Sequence, residues 1–479
     1  MTLNPVVIGA IRGAKKELGH LVVPVIIGQE ITIGRAKTNT IVVDSELVSR
    51  THCRIYLLAT SEDHHMVYVE DFSRGGTFLN GVRIGKGNHR ALYPGCILTM
   101  ALPTIPFSFI RMGTDWTETT TMNLTCGQVK ISDEMIGSGS QSKVYLVANE
   151  FPCRHQFVCR RTRKQKLFGG DRRLHELQLK NELELLQTFH HPNIIQLIDY
   201  TIHSDNTVSM FFPLVCGGSL EVLLKGRNML LAEQQVQFIM YQLFSGTKYL
   251  HGNRIIHRDL KPSNILVYKT GHAYPRIIIT DFGLSIQMDK EQLWSHSDGT
   301  KSYFAPELAK DDTSCDPFDT KVDCWSLGLI LHQLLTRYLP FELDAEYKQE
   351  SINVDDHGLW KLQRQWILYG QVNINLPLIS SQAISLTCHL LEKEPSQRWS
   401  SQQAFESPFI QDGLAKPWFL DAHNRMMDSF MMDSSVQMED DLMMPSKSLL
   451  PTPKVSIANP IPFPGDQAQR QAFYMTINQ

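Results

Sequence analysis

Ile255-Ile256-His257-Arg258-Asp259-Leu260-Lys261-Pro262-Ser263-Asn264 is the stretch on which the fold of this 479-residue chain turns. Further along, the apolar run Ile277 to Ile279 leads into Asp281-Phe282-Gly283. Upstream lies a glycine-rich run, Ile136-Gly137-Ser138-Gly139-Ser140-Gln141-Ser142-Lys143-Val144. Downstream comes Gly299-Thr300-Lys301-Ser302-Tyr303-Phe304-Ala305-Pro306-Glu307. The glycine-rich run is weak by itself, and the order of all these runs along one chain carries the reading.

With 479 residues the chain exceeds a typical single domain, so two domains with connecting and terminal segments are expected. Hydrophobic residues at 42% and charged residues at 20% are ordinary for a chain that buries real cores. A formal net charge of -3 gives no drive toward DNA or a membrane, so the expected partners are proteins, with no direct nucleic acid and no membrane. Nine cysteines without paired spacing fit neither a disulfide framework nor a zinc module, and a reducing compartment is expected. No apolar stretch reaches the roughly 18 residues of a membrane span. Residues 1 to 20 carry Arg12, Lys15, Lys16 and Glu17 instead of a signal core, which places the chain in cytosol or nucleus. The basic run Arg160 to Lys166 reads as a solvated face, with an import signal as the competing reading.

Periodicity divides the chain. Residues 1–19 read as an N-terminal segment. Residues 20–112 show short alternating segments (Ile31, Ile33; Ile41, Val43; Val67, Val69) broken by Gly, Asn, Asp and Pro, which predicts an all-β sandwich. The polar, threonine-rich stretch within 113–127 reads as a linker. From 128 to 410 an α+β fold is expected, a small lobe of strands with one helix to about 215, then a larger helical lobe. There, Gln234 to Leu250 and Val322 to Leu335 carry apolar residues at helical spacing. Residues 411–479, rich in methionine and polar residues, read as a largely disordered tail, with a partner helix as the alternative.

On this frame the ordered runs resemble the motif series of serine/threonine protein kinases. The resemblance implies ATP and Mg2+ as cofactors. It makes Ile136, Gly137, Ser138, Gly139 and Val144 the loop over the ATP phosphates, with Ser142 at the third glycine position. By the same resemblance Asp259 orients or accepts the substrate hydroxyl proton, Lys261 steadies the migrating charge, and Asn264 and Asp281 bind the metal. Glu182, in a helical run ending at His190-His191-Pro192-Asn193, is the expected partner of the ATP-anchoring residue, with Glu184 competing. Phe212 closes the adenine pocket, and Pro213 and Val215 supply hinge contacts. Glu307 ends the activation segment, Asp323-Cys324-Trp325-Ser326-Leu327-Gly328 forms the helix behind it, and Arg398 is the expected partner of Glu307.

One position departs from the family. Where it has Val-Ala-Ile-Lys, this chain has Phe157-Val158-Cys159-Arg160. Arginine keeps the charge but replaces a compact ammonium with a planar fork. A register slip would put Cys159 or Arg161 at the site, and Lys143 is a conceivable substitute. Retention of Asp259, Lys261, Asn264 and Asp281 favours catalysis, because a scaffold has no chemical need of them. Arg258 implies control by a phosphate on the activation segment, placed by an upstream kinase, with Ser295, Ser297 and Thr300 as candidates. A fixed hydrogen-bonding role is the favoured reading of Thr300.

Gly34-Arg35, then Ser49-Arg50-Thr51-His52, then Gly76-Thr77-Phe78-Leu79-Asn80-Gly81 resemble the spaced signature of a forkhead-associated (FHA) domain. That implies phosphothreonine-containing protein partners. Arg35, Ser49, Arg50 and Thr77 are the expected phosphate contacts, Asn80 grips the ligand backbone, and His52 braces the loops. Gly75 stands where the family often has asparagine.

An FHA domain followed by a kinase resembles the checkpoint kinase 2 family, including fungal DNA-damage and meiotic checkpoint kinases, over roughly residues 20 to 410. That resemblance implies a nuclear enzyme recruited by phosphothreonine on an adaptor or on another copy of itself. The threonines at 117 and 119 to 121 are conceivable ligands for such self-association. The rival reading is a phosphothreonine-dependent adaptor carrying a weak or inactive pseudokinase.

Overall fold

The computed structural model describes residues 7–13, 21–59, 65–93, 96–100, 102–111, 120–124, 127–138, 142–149, 156–162, 172–204, 207–226, 230–268, 273–288, 299–310, 319–341, 356–372, 379–434 and 454–459. The chain divides into two units. The first contains Met1–Arg163, Ile198–Cys216 and Ser435–Gln479, and the second Lys164–Leu197 and Gly217–Ser434. Among the described residues no helix is long and apolar enough to cross a membrane.

The first unit opens with the strands β1 (Val7–Gly13), β2 (Val22–Ile26), β3 (Ile31–Gly34), β4 (Ile41–Asp44), β5 (Cys53–Ala59), β6 (His65–Asp71), β7 (Thr77–Leu79), β8 (Val82–Arg83), β9 (His89–Leu92), β10 (Ile97–Met100) and β11 (Leu102–Arg111). One sheet runs β2-β1-β11-β10-β7-β8, and a second contains β4-β3-β5-β6-β9. Period-two alternation turns Ile31, Ile33, Ile41, Val43, Ile55 and Val69 of the second sheet toward Ile11, Val23, Val25, Leu98, Phe107 and Phe109 of the first, which makes the expected sandwich. The sandwich begins earlier than the sequence reading placed it, because β1 pairs with both β2 and β11 and buries Ala10 and Ile11.

A further sheet in this unit runs through β12 (Thr120–Leu124), β13 (Gly127–Ser138), β14 (Ser142–Asn149), β15 (Phe157–Thr162), then β17 (Val208–Pro213) and β16 (Asp199–Ile202). The expected linker is therefore partly strand, since Thr120 to Leu124 pair with Gly127 to Ile131. Threonine is polar but β-branched, and here its strand propensity prevailed. One face of this sheet buries Leu124, Val129, Ile131, Val147, Phe157, Cys159 and Phe211. On the other, Ile136, Leu146, Leu214 and Cys216 join Tyr56, Met66, Tyr68 and Ala91 of the sandwich in one apolar cluster. Gln156 clips that seam, donating to the Ala91 carbonyl and accepting from its amide, both at 2.7 Å.

The second unit is mainly helical, with α1 (Arg172–Thr188), α2 (Leu220–Gly226), α3 (Glu233–Gly252), α4 (Pro306–Ala309), α5 (Lys321–Thr336), α6 (Asp356–Tyr369), α7 (Ser381–Leu390), α8 (Ser401–Phe405), α9 (Pro408–Leu414) and α10 (Pro417–Ser434). Helix α5 is buried nearly all round, as expected of a helix apolar on every side. Two short ladders position the decisive loops. Strands β18 (Ile255–Ile256) and β19 (Ile265–Tyr268) bracket residues 257–264, while β20 (Arg276–Ile279) and β21 (Ile286–Gln287) bracket residues 280–285. Because β18 pairs with β21 and β19 with β20, the two loops are drawn side by side.

Two ordered elements stand inside the stretch 411–479 read from sequence as a tail. Helix α10 buries Phe419, Ala422, Met426 and Phe430 at helical spacing, with Phe419 against the rings of Phe238 and Tyr241 at 5.2 and 4.9 Å. A last strand, β22 (Lys454–Ile457), belongs to the first unit. Residues 435–453 and 460–479 lie outside the described residues.

Candidate functional site

In the second unit, Asp259 is 7% exposed and all its acceptor positions are engaged. Its Oδ2 accepts from Lys261 Nζ at 2.7 Å and Asn264 Nδ2 at 2.9 Å. Its Oδ1 accepts from the Thr300 amide at 3.1 Å and the Thr300 hydroxyl at 2.9 Å. Lys261 Nζ also donates to Thr300 Oγ1 at 2.6 Å, so catalytic loop and activation segment close on one carboxylate. A carboxylate has about four acceptor sites, and an incoming alcohol can reach this one only by displacing a donor. These bonds fit the fixed bonding role favoured above for Thr300. A phosphate on Thr300 would take away the hydroxyl that both Lys261 and Asp259 use.

The loop's geometry is held from behind. Arg258 has φ +69° and Asp281 φ +67°, left-handed conformations that a non-glycine residue adopts only when its surroundings enforce them. Asp323, buried on α5, accepts from the amides of His257 and Arg258 at 2.8 and 2.9 Å, and its Oδ2 is 3.0 Å from His251 Nε2. Burial pushes the Asp323 pKa up, but the hydrogen bonds and charges of His251 and His257 together outweigh it and hold the carboxyl below its usual value. Sequence reasoning named Asp323 only as part of a helix. Phe282 is fully buried, its ring 4.7 Å from Phe189 and 4.9 Å from His257. On α1, Glu182 is 4% exposed and its Oε2 is 3.9 Å from where a Cβ on Gly283 would lie. Glu184 faces outward to Lys180, so Glu182 is the inward glutamate.

In the first unit, strand alternation settles the register. Cross-strand partners share a face, which puts Val144, Arg160 and Met210 together with Leu146, Val158 and Phe212. Cys159 lies in the core on the opposite face, while Arg161 sits over Tyr145 and opposite the exposed Lys143. Neither Cys159, Arg161 nor Lys143 therefore replaces Arg160. The Arg160 guanidinium is 5.7 Å from the Phe212 ring, and its Nη2 is 3.3 Å from Met210 Sδ. Pro213 ends β17 opposite Phe157, and Val215 follows. Ile136 is buried and Ser138 exposed. A Cβ on Gly137 would meet Val144 at an ordinary 3.9 Å, so packing inside the lobe does not demand glycine. Gly139, Ser295 and Ser297 lie outside the described residues.

The sandwich presents Arg35, Arg50 and Arg74 as exposed side chains on neighbouring loops. The Arg35 amide donates to Ser49 O at 3.0 Å, and the Arg74 amide donates to Ser49 Oγ at 3.2 Å. His52 is fully buried: its Nδ1 accepts from the Ser49 amide at 3.1 Å, which leaves Nε2–H to donate to Gly76 O at 3.1 Å. Burial lowers the His52 pKa and keeps the ring neutral, the form this pattern requires. Gly34 is obligatory, since a Cβ there would lie 2.3 Å from Arg50 O. Two of the expected ligand contacts are engaged within the sandwich. Thr77 is buried with its hydroxyl donating to Asp71 at 2.7 Å. Asn80 and Gly81, with φ +51° and +83°, make the tight turn between β7 and β8. Both ends of the Asn80 amide are used internally, Nδ2 donating to Tyr93 Oη at 2.8 Å and Oδ1 accepting from the Ile97 amide at 2.7 Å. Arg74 was missed from sequence, although its place beside Gly75 and Gly76 marks an exposed loop cation.

The model of the protein kinase domain matches residues 131–410. The chain belongs to the protein kinase family. The FHA domain model matches residues 31–101 of the same kinase. It is 30% identical to the meiosis-specific serine/threonine-protein kinase mek1 of Schizosaccharomyces pombe, covering 83% of either chain. It is 29% identical to the probable serine/threonine-protein kinase fhkA of Dictyostelium discoideum, over 84% of this chain and 75% of that one. It is 27% identical to the ovarian-specific serine/threonine-protein kinase Lok of Drosophila melanogaster, over 80% and 79%. This is an FHA-containing serine/threonine protein kinase. Protein kinase domains use ATP with a divalent metal ion, and FHA domains bind phosphothreonine proteins.

The residues present fit magnesium. Asn264 spends its amide hydrogens on Asp259, which turns its Oδ1 the other way, and the exposed Asp281 carboxylate follows Thr280, whose amide donates to Asn264 O at 2.9 Å. Among the described residues no group of three or more His, Cys, Asp or Glu could hold a metal. An amide oxygen and a carboxylate suit an ion that takes its remaining ligands from phosphate and water. Bound there, magnesium would neutralise charge on the transferred phosphoryl group.

Proposed function

We propose that this kinase transfers the ATP γ-phosphate to serine or threonine hydroxyls of protein substrates in a nuclear DNA-damage or meiotic checkpoint. Phosphothreonine on an adaptor or a second copy recruits it through Arg35, Ser49, Arg50 and Arg74. Clustering of copies raises the local concentration of activation segments, so that an upstream kinase or a neighbouring copy phosphorylates Ser295 and Ser297, and Arg258 pairs with the added phosphate. The observation that carries the catalytic reading is the closed network of Lys261, Asn264 and Thr300 on Asp259. The printed name of the fission yeast relative supports the meiotic setting. For the reader, a phosphothreonine peptide is expected to bind the full chain, and Arg35→Ala or Arg50→Ala to weaken it about 10- to 100-fold, the worth of one charged hydrogen bond. Equal affinity for the unphosphorylated peptide would remove the recruitment reading.

Arg160 supports a second reading, an FHA adaptor with a crippled nucleotide site. Its guanidinium lies on the face shared with Val144 and Val158, where a lysine is the family's usual residue. The wild type is expected to incorporate phosphate, and Arg160→Lys to give no large gain, because arginine already brings the positive charge although its planar fork places it differently. Wild-type activity at the background level, with a large gain in Arg160→Lys, would instead establish the adaptor.

A further inference from the structure

We propose that β22 is a working part of the phosphothreonine reader, an edge strand supplied by the chain's own C-terminal region that sets the arginine loops for ligand. The inference deepens the recruitment reading and rests on it. Strand β4 pairs with β3 on one side, in parallel. On its other side β22 pairs antiparallel, Lys454 opposite Asp44, Val455 opposite Val43, Ser456 opposite Val42 and Ile457 opposite Ile41. Val455 and Ile457 pack against the sandwich core while Ser456 is exposed, so alternation and pairing agree. This is strand addition to an open sheet edge, in which main-chain bonds supply affinity and alternate side chains supply register.

The end of the strand reaches the ligand loops. The Ala458 amide donates to Thr40 O at 3.2 Å, and Asn459 Nδ2 donates to the carbonyls of Lys37 and Asn39 at 3.0 and 2.9 Å. Asn39 is 2% exposed and its own Nδ2 donates to Ala36 O at 2.8 Å and Arg50 O at 2.7 Å. The Ala36 amide donates to that same Arg50 carbonyl at 3.0 Å. A continuous path of hydrogen bonds therefore runs from Asn459 through Asn39 to the backbone that carries Arg35 and Arg50. Asn459 is a positioning residue in this arrangement, touching no ligand itself.

The full chain, a chain ending at Pro453 and the Asn459→Ala variant are compared by phosphothreonine-peptide titration and by hydrogen exchange at residues 41–44. Truncation is expected to speed exchange at 41–44 and to weaken the peptide about tenfold. A synthetic peptide covering residues 451–462, added in trans, is expected to restore both. Asn459→Ala is expected to keep 41–44 protected yet weaken the phosphopeptide severalfold, a split that loss of the strand alone would not give. Unchanged exchange on truncation overturns docking, and unchanged affinity in both variants overturns the positioning role. A full chain that binds no phosphothreonine peptide sinks the recruitment reading instead, and the exchange and rescue results then judge docking by themselves.

Discussion

Asp259→Ala is expected to lower magnesium-ATP-dependent phosphate incorporation into protein by about 10²- to 10⁴-fold, the range in which a positioned acid or base contributes. The carboxylate gathers Lys261, Asn264 and Thr300, and no other described side chain receives all three. Its removal frees Lys261 and Thr300 and leaves an incoming alcohol without an acceptor for its proton. The loss should be chemical and not structural, because the loop backbone is tied through the His257 and Arg258 amides to Asp323, which the substitution leaves in place. Asp259→Asn keeps the shape and removes the charge, so it should fall nearly as far. Incorporation of labelled phosphate at fixed protein and ATP, alongside unfolding curves for each variant, separates the two causes. Either variant turning over within a few-fold of wild type would mean that another group takes the proton.

Glu307→Ala is expected to cost the second unit about 3–5 kcal/mol of stability, the usual result of deleting one partner of a buried ion pair. Arg398 is 1% exposed and holds Glu307 with two bonds, at 2.7 and 2.9 Å. Its remaining N–H groups go to the carbonyls of Glu392 at 2.9 Å, Lys321 at 2.8 Å and Lys393 at 3.4 Å, and its guanidinium lies 5.2 Å from the Trp325 ring centre. Without Glu307 the guanidinium keeps its carbonyls but loses its counter-charge. A second cation is near: burial, with the charge of Arg398 adding to it, pushes the Lys393 pKa down to about 8. Replacing both partners, Glu307→Leu with Arg398→Met, should recover much of the loss because no unpaired charge is left inside. Chemical denaturation checks this, and a shift below about 1 kcal/mol for Glu307→Ala would show the pair to be dispensable.

The catalytic loop was legible because its chemistry is local, with Asp259, Lys261 and Asn264 inside one short run that a pair of two-stranded ladders then folds against Asp281. Arg160 was legible through strand alternation, which sends Phe157 and Cys159 one way and Val158 and Arg160 the other. The internal bonds of Thr77 and Asn80 were not legible, because a polar residue on a ligand loop looks the same in sequence whether it points outward or braces the loop. Their partners Asp71, Tyr93 and Ile97 are set by tertiary structure. Boundaries taken from composition failed where polar residues were also good strand formers, as at Thr120 and Thr121. Helix α10 and β22 were hidden for another reason. Each is stabilised by surfaces far away along the chain, so a stretch that looks unable to build its own core borrows one.

The seam between Tyr56, Tyr68 and Ala91 and the sheet residues Ile136, Leu146, Leu214 and Cys216 does not respect the gap between the two matched family spans. Severing the polypeptide in that gap would strip the amino-terminal half from an oily wall bordering Val144 and Val158 and leave it facing water. The liberated catalytic half should be sticky, self-associating at concentrations where the intact enzyme stays dispersed. A compound screen run on that half would reward molecules for coating a wall that the whole enzyme keeps covered.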